Sequence, residues 1–157
     1  MVEILFIFLS ISAAYVYGGI LEWSLHKYIL HGLGKNKKSI FSFHWHIHHK
    51  TCRKNNNFDT DYCTRPLPSS IKKEIFFLAS LVMLHLPYFF IAPYFFIGLF
   101  FYTCRYFYYH RRSHLDVEWA KKNMLWHYEH HTGKNQNANY GVTVEWPDKL
   151  FNTRRTE

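Results

Sequence analysis

The sequence predicts an all-α integral membrane protein: one N-terminal transmembrane helix, a helical hairpin, and a cytoplasmic, helical, histidine-rich site for two metal ions. Three observations predict it. The chain is 48% hydrophobic, yet its apolar residues are segregated into two long tracts rather than spread as in a globular core. No basic residue precedes Lys27, and all 19 Lys and Arg lie from there onward. Ten of the 12 histidines fall into four tight groups that border or follow apolar stretches: His26/His31, His44/His48/His49, His110/His114 and His127/His130/His131. At 157 residues the chain is a single domain by length.

The first tract, Ile4 to Trp23, has the roughly 20 residues needed to cross a hydrocarbon core. A signal peptide is the competing reading. The run lacks a basic leading segment, carries Glu3 instead, and leads straight into a histidine motif. The first transmembrane helix is therefore expected over about residues 4–30, followed by a cytoplasmic His-rich segment over 31–72. Within that segment Asn55–Ser70, rich in Asn, Asp, Pro and Ser, reads as a loop or substrate-side lid.

The second tract runs from Ile75 to about Tyr109 and contains Pro87 and Pro93. One straight helix would be too long and would carry two interior prolines. If the histidine groups share one site, His49 and His110 lie on the same side of the membrane, so the tract crosses an even number of times. It is read as a hairpin over 73–110, out over about 73–88, turning near 88–93 and returning over 93–110; a hairpin that dips without fully crossing is the alternative. Residues 111–157 form a cytoplasmic cap. Basic residues crowd segments 35–73 and 105–155 and are absent from the N-terminus and the turn. By the positive-inside rule the N-terminus is outside and the histidine-bearing face cytoplasmic. The net charge of +8 reads as this topology, not as nucleic-acid binding. Cys52, Cys63 and Cys104 are odd in number, lack metal-finger spacing and read as reduced thiols; Cys52, three residues after His49, is also a conceivable soft ligand.

Imidazole binds Fe, Zn, Cu and Ni, so ligand type alone does not choose the metal. The number of ligands narrows it, because a tetrahedral zinc takes four ligands, or three plus water. The ten grouped histidines suffice for two ions with open positions left over. Glu22 and His26 are four apart on one helical face, where a carboxylate fixes the tautomer of a liganding His. His31, five beyond His26, joins the same site if the helix end adjusts. On an α-helix His44 and His48 share a face, with His49 beside them and His46 pointing away, so His46 is expected outside the ligand set. His110/His114 and His127/His130/His131 repeat these spacings. His85, inside the apolar tract, is a functional candidate by position but lies far from the metal face; a neutral, hydrogen-bonded His is expected there.

The order H-x4-H, H-x3-H-H, H-x3-H, H-x2-H-H resembles the fatty acid hydroxylase/sterol desaturase superfamily, in its short bacterial form. The likeness extends through His110-Arg-Arg-Ser-His-Leu-Asp-Val-Glu-Trp-Ala, Trp126-His-Tyr-Glu-His-His, Asn139-Tyr-Gly-Val-Thr and Trp146-Pro-Asp-Lys-Leu-Phe-Asn-Thr153. The resemblance implies an integral-membrane enzyme with two Fe ions, Zn being an alternative occupant on purification, and O2 as co-substrate. The metal ligands it implies are His26, His31, His44, His48, His49, His110, His114, His127, His130 and His131. Two departures stand out. Tyr106 is followed by Phe107 where many members have Asp, so that carboxylate is missing or supplied elsewhere. The second group is H-x3-H-H rather than H-x2-H-H, which leaves His44 or His46 to complete it. Glu22, Asp116, Glu118 and, more weakly, Glu129 are the candidates for proton delivery or for orienting the ligands.

The implied reaction is hydroxylation or desaturation of a lipid C–H bond, and the sequence does not separate the two. There is no room for a fused cytochrome b5 domain, so electrons are expected from a separate protein: a ferredoxin, a cytochrome b5 or a reductase. Trp23, Trp45, Tyr106, Tyr108 and Tyr109 either line the substrate path or form an interfacial aromatic belt. The competing classes are a histidine-rich metal-binding or transport protein without catalysis, and a hydrolytic zinc enzyme.

Overall fold

A computed structural model describes residues 1–156, and every regular element among them is helical. Helix α1 (Val2–Ser24) continues without a break into a π-helical stretch, Leu25–Gly32. A second π-helical stretch, His44–His48, leads into the short α2 (His49–Lys54). After a loop with a 3₁₀ turn at Thr60–Tyr62 come α3 (Ser69–Leu84), the five-residue α4 (Pro87–Ile91) and α5 (Pro93–Leu115). The cap consists of α6 (Val117–Asn123), α7 (Leu125–Thr132) and α8 (Trp146–Leu150).

Glu74 near the start of α3 bonds His110 near the end of α5, and two prolines mark the breaks between these helices. Pro87 opens α4 and Pro93 opens α5, positions where the missing N–H would have no intrahelical partner anyway. Two helical stretches, Val2–Lys35 and Ser69–Ile91, are long and apolar enough to cross a membrane. Helix α5 is richer in tyrosine and carries Arg105.

Helices α1 and α5 pack along their length through small residues. A Cβ on Gly18 would lie 2.7 Å from the Tyr102 ring, and one on Gly98 would lie 2.9 Å from the Ala14 Cβ. Such residues let two backbones approach closely where no hydrophobic drive pulls them together. Helix α3 leans on α5 and stands off from α1, leaving a cavity between the three.

The C-terminal segment straps the cap to α1. Buried Asp148 accepts hydrogen bonds from Trp23 Nε1 (3.1 Å), Tyr140 N (2.8 Å), Gly141 N (2.6 Å) and Thr153 Oγ1 (2.6 Å). Trp23 stacks on Phe151 with ring centroids 4.3 Å apart. The strap places residues 138–143 against the histidines.

Candidate metal centre

The four histidine groups converge from the stretch 25–32, the segment 44–49, the end of α5 and α7 into one cluster, in which all ten grouped histidines are buried. Winding explains how α1 delivers two of them. His26 and His31 are five apart, a spacing that an α-helix splays but a π-helical turn, bonded i to i+5, brings onto one face. Their rings sit 4.8 Å apart.

The same winding corrects the expectation for the second group. His44 and His48, expected to act together, serve different sets. His44 meets His49, five residues on, with Nε2 atoms 3.2 Å apart, while His48 turns toward His110, His114 and His131. His46 hydrogen-bonds the Lys35 carbonyl, away from the cluster.

Two sets result. In the first, His26, His31, His44, His49 and His130 bring one nitrogen each within 4.8 Å of all the others. Their Nε2 atoms lie close: 2.9 Å for His26–His44, 3.0 Å for His31–His49, 3.0 Å for His130–His31 and 3.2 Å for His130–His49. In the second, His110, His114, His127 and His131 meet the same 4.8 Å limit, and an overlapping group meets it with His48, Cys52, His114 and His131.

Backbone and carboxylate acceptors fix which nitrogen faces inward. His26 Nδ1 donates to Tyr140 O (2.6 Å), His130 Nδ1 to Ala138 O (2.6 Å) and His114 Nδ1 to Asn57 O (2.9 Å). His48 Nδ1 donates to Asp59 Oδ2 (2.8 Å), and His110 Nδ1 to Glu74 Oε1 (2.7 Å). Each of these rings then presents a bare Nε2 lone pair to its neighbours. Lone pairs facing one another repel unless a cation lies between them.

The orphaned atoms say the same. His48 Nε2, His110 Nε2 and both ring nitrogens of His131 are buried with no hydrogen-bond partner, although buried polar groups are nearly always paired. Bonds of ~2.1 Å at right angles put neighbouring donors ~3.0 Å apart, and tetrahedral angles put them ~3.4 Å apart. The spacing in the first set matches the former. The first set therefore fits a metal ion with more than four coordination positions.

Burial, followed by mutual repulsion among the imidazoles, holds His44, His49, His127 and His131 well below the ordinary range. Burial lowers His130 to about 4, the hydrogen bond to Ala138 opposing it. Cys52 touches the Nδ1 edges of His114 (3.4 Å) and His48 (3.8 Å), the side away from their bare Nε2 atoms. Burial also pushes its thiol well above the ordinary range. It packs behind the ligands instead of joining them.

The expected carboxylates fall elsewhere. Glu22 does not bond His26; its oxygens are taken by Val142 N (2.5 Å), Thr143 N (2.9 Å), Thr143 Oγ1 (2.8 Å) and Tyr102 OH (3.0 Å). It secures the loop whose Tyr140 carbonyl holds His26. Asp116 and Glu118 are exposed, because the chain breaks between α5 and α6 and turns them outward. Asp116 caps α6 through Trp119 N (3.0 Å), and Glu118 pairs with Lys121 (2.8 Å). Glu129 pairs with Arg154 at 2.7 Å.

Asp59 and Glu74 take the place expected of those groups. Glu74 also accepts from Tyr62 OH at 2.7 Å. The signal for Glu74 was its position as a lone carboxylate at the head of an apolar tract; Asp59 lay unremarked in the Asn-rich loop.

A cavity of about 400 Å³ opens onto this cluster at His26, His44, His48 and His110. It runs between α1, α3 and α5 over apolar walls such as Leu25, Ile29, Phe77, Leu81, Phe96 and Leu99. Its far end reaches His85, whose Nδ1 donates to Leu81 O (2.7 Å) and whose Nε2 accepts from Tyr17 OH (2.9 Å). His85 is thus the hydrogen-bonded residue expected from its sequence position.

The family model for fatty acid hydroxylase matches residues 11–153, nearly the whole chain. No curated protein and no solved structure matches.

Proposed function

The chain belongs to the fatty acid hydroxylase family, and from that premise we propose that it is a membrane enzyme that holds two iron ions and oxidises a lipid C–H bond with O2. One observation carries the reading: an apolar cavity of acyl-chain character ends on the open face of two nitrogen-rich sets. Its volume lies within the range of small-molecule sites, which are mostly apolar with a few placed polar groups.

The proposed ligands are His26, His31, His44, His49 and His130 for one ion, and His48, His110, His114, His127 and His131 for the other. Right-angle spacing of the nitrogens favours iron over tetrahedral zinc, and zinc has no redox chemistry. Bound iron supplies O2 reduction and hydrogen abstraction; the protein supplies the rest. Asp59 and Glu74 orient His48 and His110 and raise their basicity. Glu22 and Asp148 act at one remove, holding the strap whose carbonyls orient His26 and His130. The cavity walls align the chain and keep water from the oxidising site.

In this reading the balance is lipid C–H, O2, two electrons and two protons in, and an alcohol and one water out. Desaturation with the same inputs gives an alkene and two waters. The electrons come from a separate donor such as a ferredoxin, a cytochrome b5 or a reductase.

The proposed topology puts α1 and the α3–α5 hairpin in the bilayer. The N-terminus is outside, and segments 31–72 and 111–157 face the cytoplasm. Ile4, Phe8, Phe76, Met83 and Phe90 are 62–79% exposed, an apolar surface that a soluble monomer rarely shows and that lipid tails would cover.

The test is lipid analysis of cells expressing the wild type or His110→Ala. Gain of one oxygen in a lipid, absent with the variant, identifies a hydroxylase, and loss of two hydrogens a desaturase. An unchanged lipid profile contradicts the proposal.

A further inference from the structure

Trp45, expected from the sequence to line the substrate path or join an aromatic belt, is not among the residues lining the apolar cavity. It lies half-buried between solvent and the first histidine set. Its ring is 5.4 Å from that of His49, tilted by 31°, and 5.0 Å from that of His31. Lys35 Nζ sits 4.9 Å above the same ring from the solvent side. A surface dent lined by Trp45, His46, His49, Lys50, Arg53 and Gln136 reaches down to His49.

Lys50 and Arg53 line this dent, Lys35 flanks it, and the surrounding sequence is basic. Residues 23–58 carry Lys27, Lys35, Lys37, Lys38, Lys50, Arg53 and Lys54 and no Asp or Glu. The loop across the dent is also free of carboxylates over residues 130–144. Lys35 bonds Asn137 (2.7 Å) and Arg53 bonds the Gly133 carbonyl (3.1 Å), so both cations flank the opening beside Gln136. The lipid cavity meets the cluster at other histidines, His26, His44, His48 and His110.

We propose that this dent is the docking site of an acidic one-electron carrier protein and that Trp45 is the bridge through which its electrons reach His31 and His49. The inference rests on the oxygenase reading for its purpose and on charge complementarity for its partner. An anionic surface is drawn to such a rim and steered by it. Each turnover needs two electrons, so two carrier molecules are each oxidised by one electron, and the indole itself ends neither oxidised nor reduced. Substrate and carrier approach different histidines and do not compete for space.

The test uses the full chain in nanodiscs of zwitterionic lipid, with an acidic [2Fe–2S] ferredoxin as the probe. Binding is measured on the protein as purified, without reductant or turnover, so docking is read whether or not the oxygenase chemistry holds. Lys50→Glu/Arg53→Glu should weaken binding by roughly tenfold or more and flatten its salt dependence, with metal uptake unchanged. In metal-loaded protein Trp45→Leu should abolish the fast phase of reduction by ferredoxin without changing its affinity, and Trp45→Phe should restore it. Dithionite should reduce all variants to the same extent. Unchanged ferredoxin affinity in the charge-reversed variant, or an intact fast phase in Trp45→Leu, overturns the proposal. An effect of charge reversal confined to nanodiscs containing anionic lipid assigns the rim to the membrane surface and likewise overturns it.

Discussion

Glu74→Gln removes one negative charge from behind the second histidine set while keeping its shape. The glutamate accepts from His110 Nδ1 and from Tyr62 OH, each at 2.7 Å, and its side chain is 11% exposed. In the variant the amide oxygen still accepts from His110, and the amide nitrogen donates to the Tyr62 oxygen, so both contacts survive without the charge. A hydrogen bond to a charged group contributes ~1.5–3 kcal/mol against ~0.5–1.5 for a neutral one, so roughly 1–2 kcal/mol is lost at His110, about tenfold in affinity. Partners of this kind change metal affinity by ~10–100-fold. The assay is a chelator titration of purified protein, followed as metal ions per chain. One ion should leave at ~10–100-fold lower chelator than in wild type, with the other retained. Asp59→Asn should do the same through His48, and the double variant should release the same ion. Wild-type titration in both single variants, or loss of both ions together, would refute the reasoning.

Three other outcomes follow from the same geometry. His44→Ala should cost the first set its metal, whereas His46→Ala, whose ring bonds only the Lys35 carbonyl, should leave metal content unchanged; equal losses would contradict the assignment. Leu99→Trp fills the cavity from its buried wall at a strain of ~1–3 kcal/mol, and should abolish lipid oxidation with both metals kept; retained oxidation would place the substrate elsewhere. Acid should strip the metal: His130 sits at about 4 when folded against an ordinary 6.5. A folded value below the unfolded one means that the neutral form is fully stabilising above pH ~6.5 and that this stability is lost as pH falls toward 4. Metal content and Tm recorded from pH 8 to 4 should fall across that window, and a flat profile would contradict the buried neutral site.

The breaks in the second apolar tract were legible because two prolines forbid a straight helix, and both now open helices there. The density of histidines was legible because so many imidazoles beside apolar tracts have few other uses. Their division into sets was not, because it depends on π-helical winding at 25–32 and 44–48, which moves i+5 partners onto one face and splits His44 from His48. The carboxylates were harder still. Asp59 and Glu74 are 11 and 36 residues from the histidines they hold. Glu22 finds its partners 80 to 121 residues away, a closure that only tertiary packing decides. Asp116 and Glu118 misled through proximity to His114, since one helix break sends them to solvent.

The central claim is that the ten buried histidines hold two iron ions, and elemental mass spectrometry of untagged protein purified without added zinc tests it most directly. The account predicts about two irons per chain, reduced in His127→Ala. A single zinc, or folded and active protein with no metal, would contradict it.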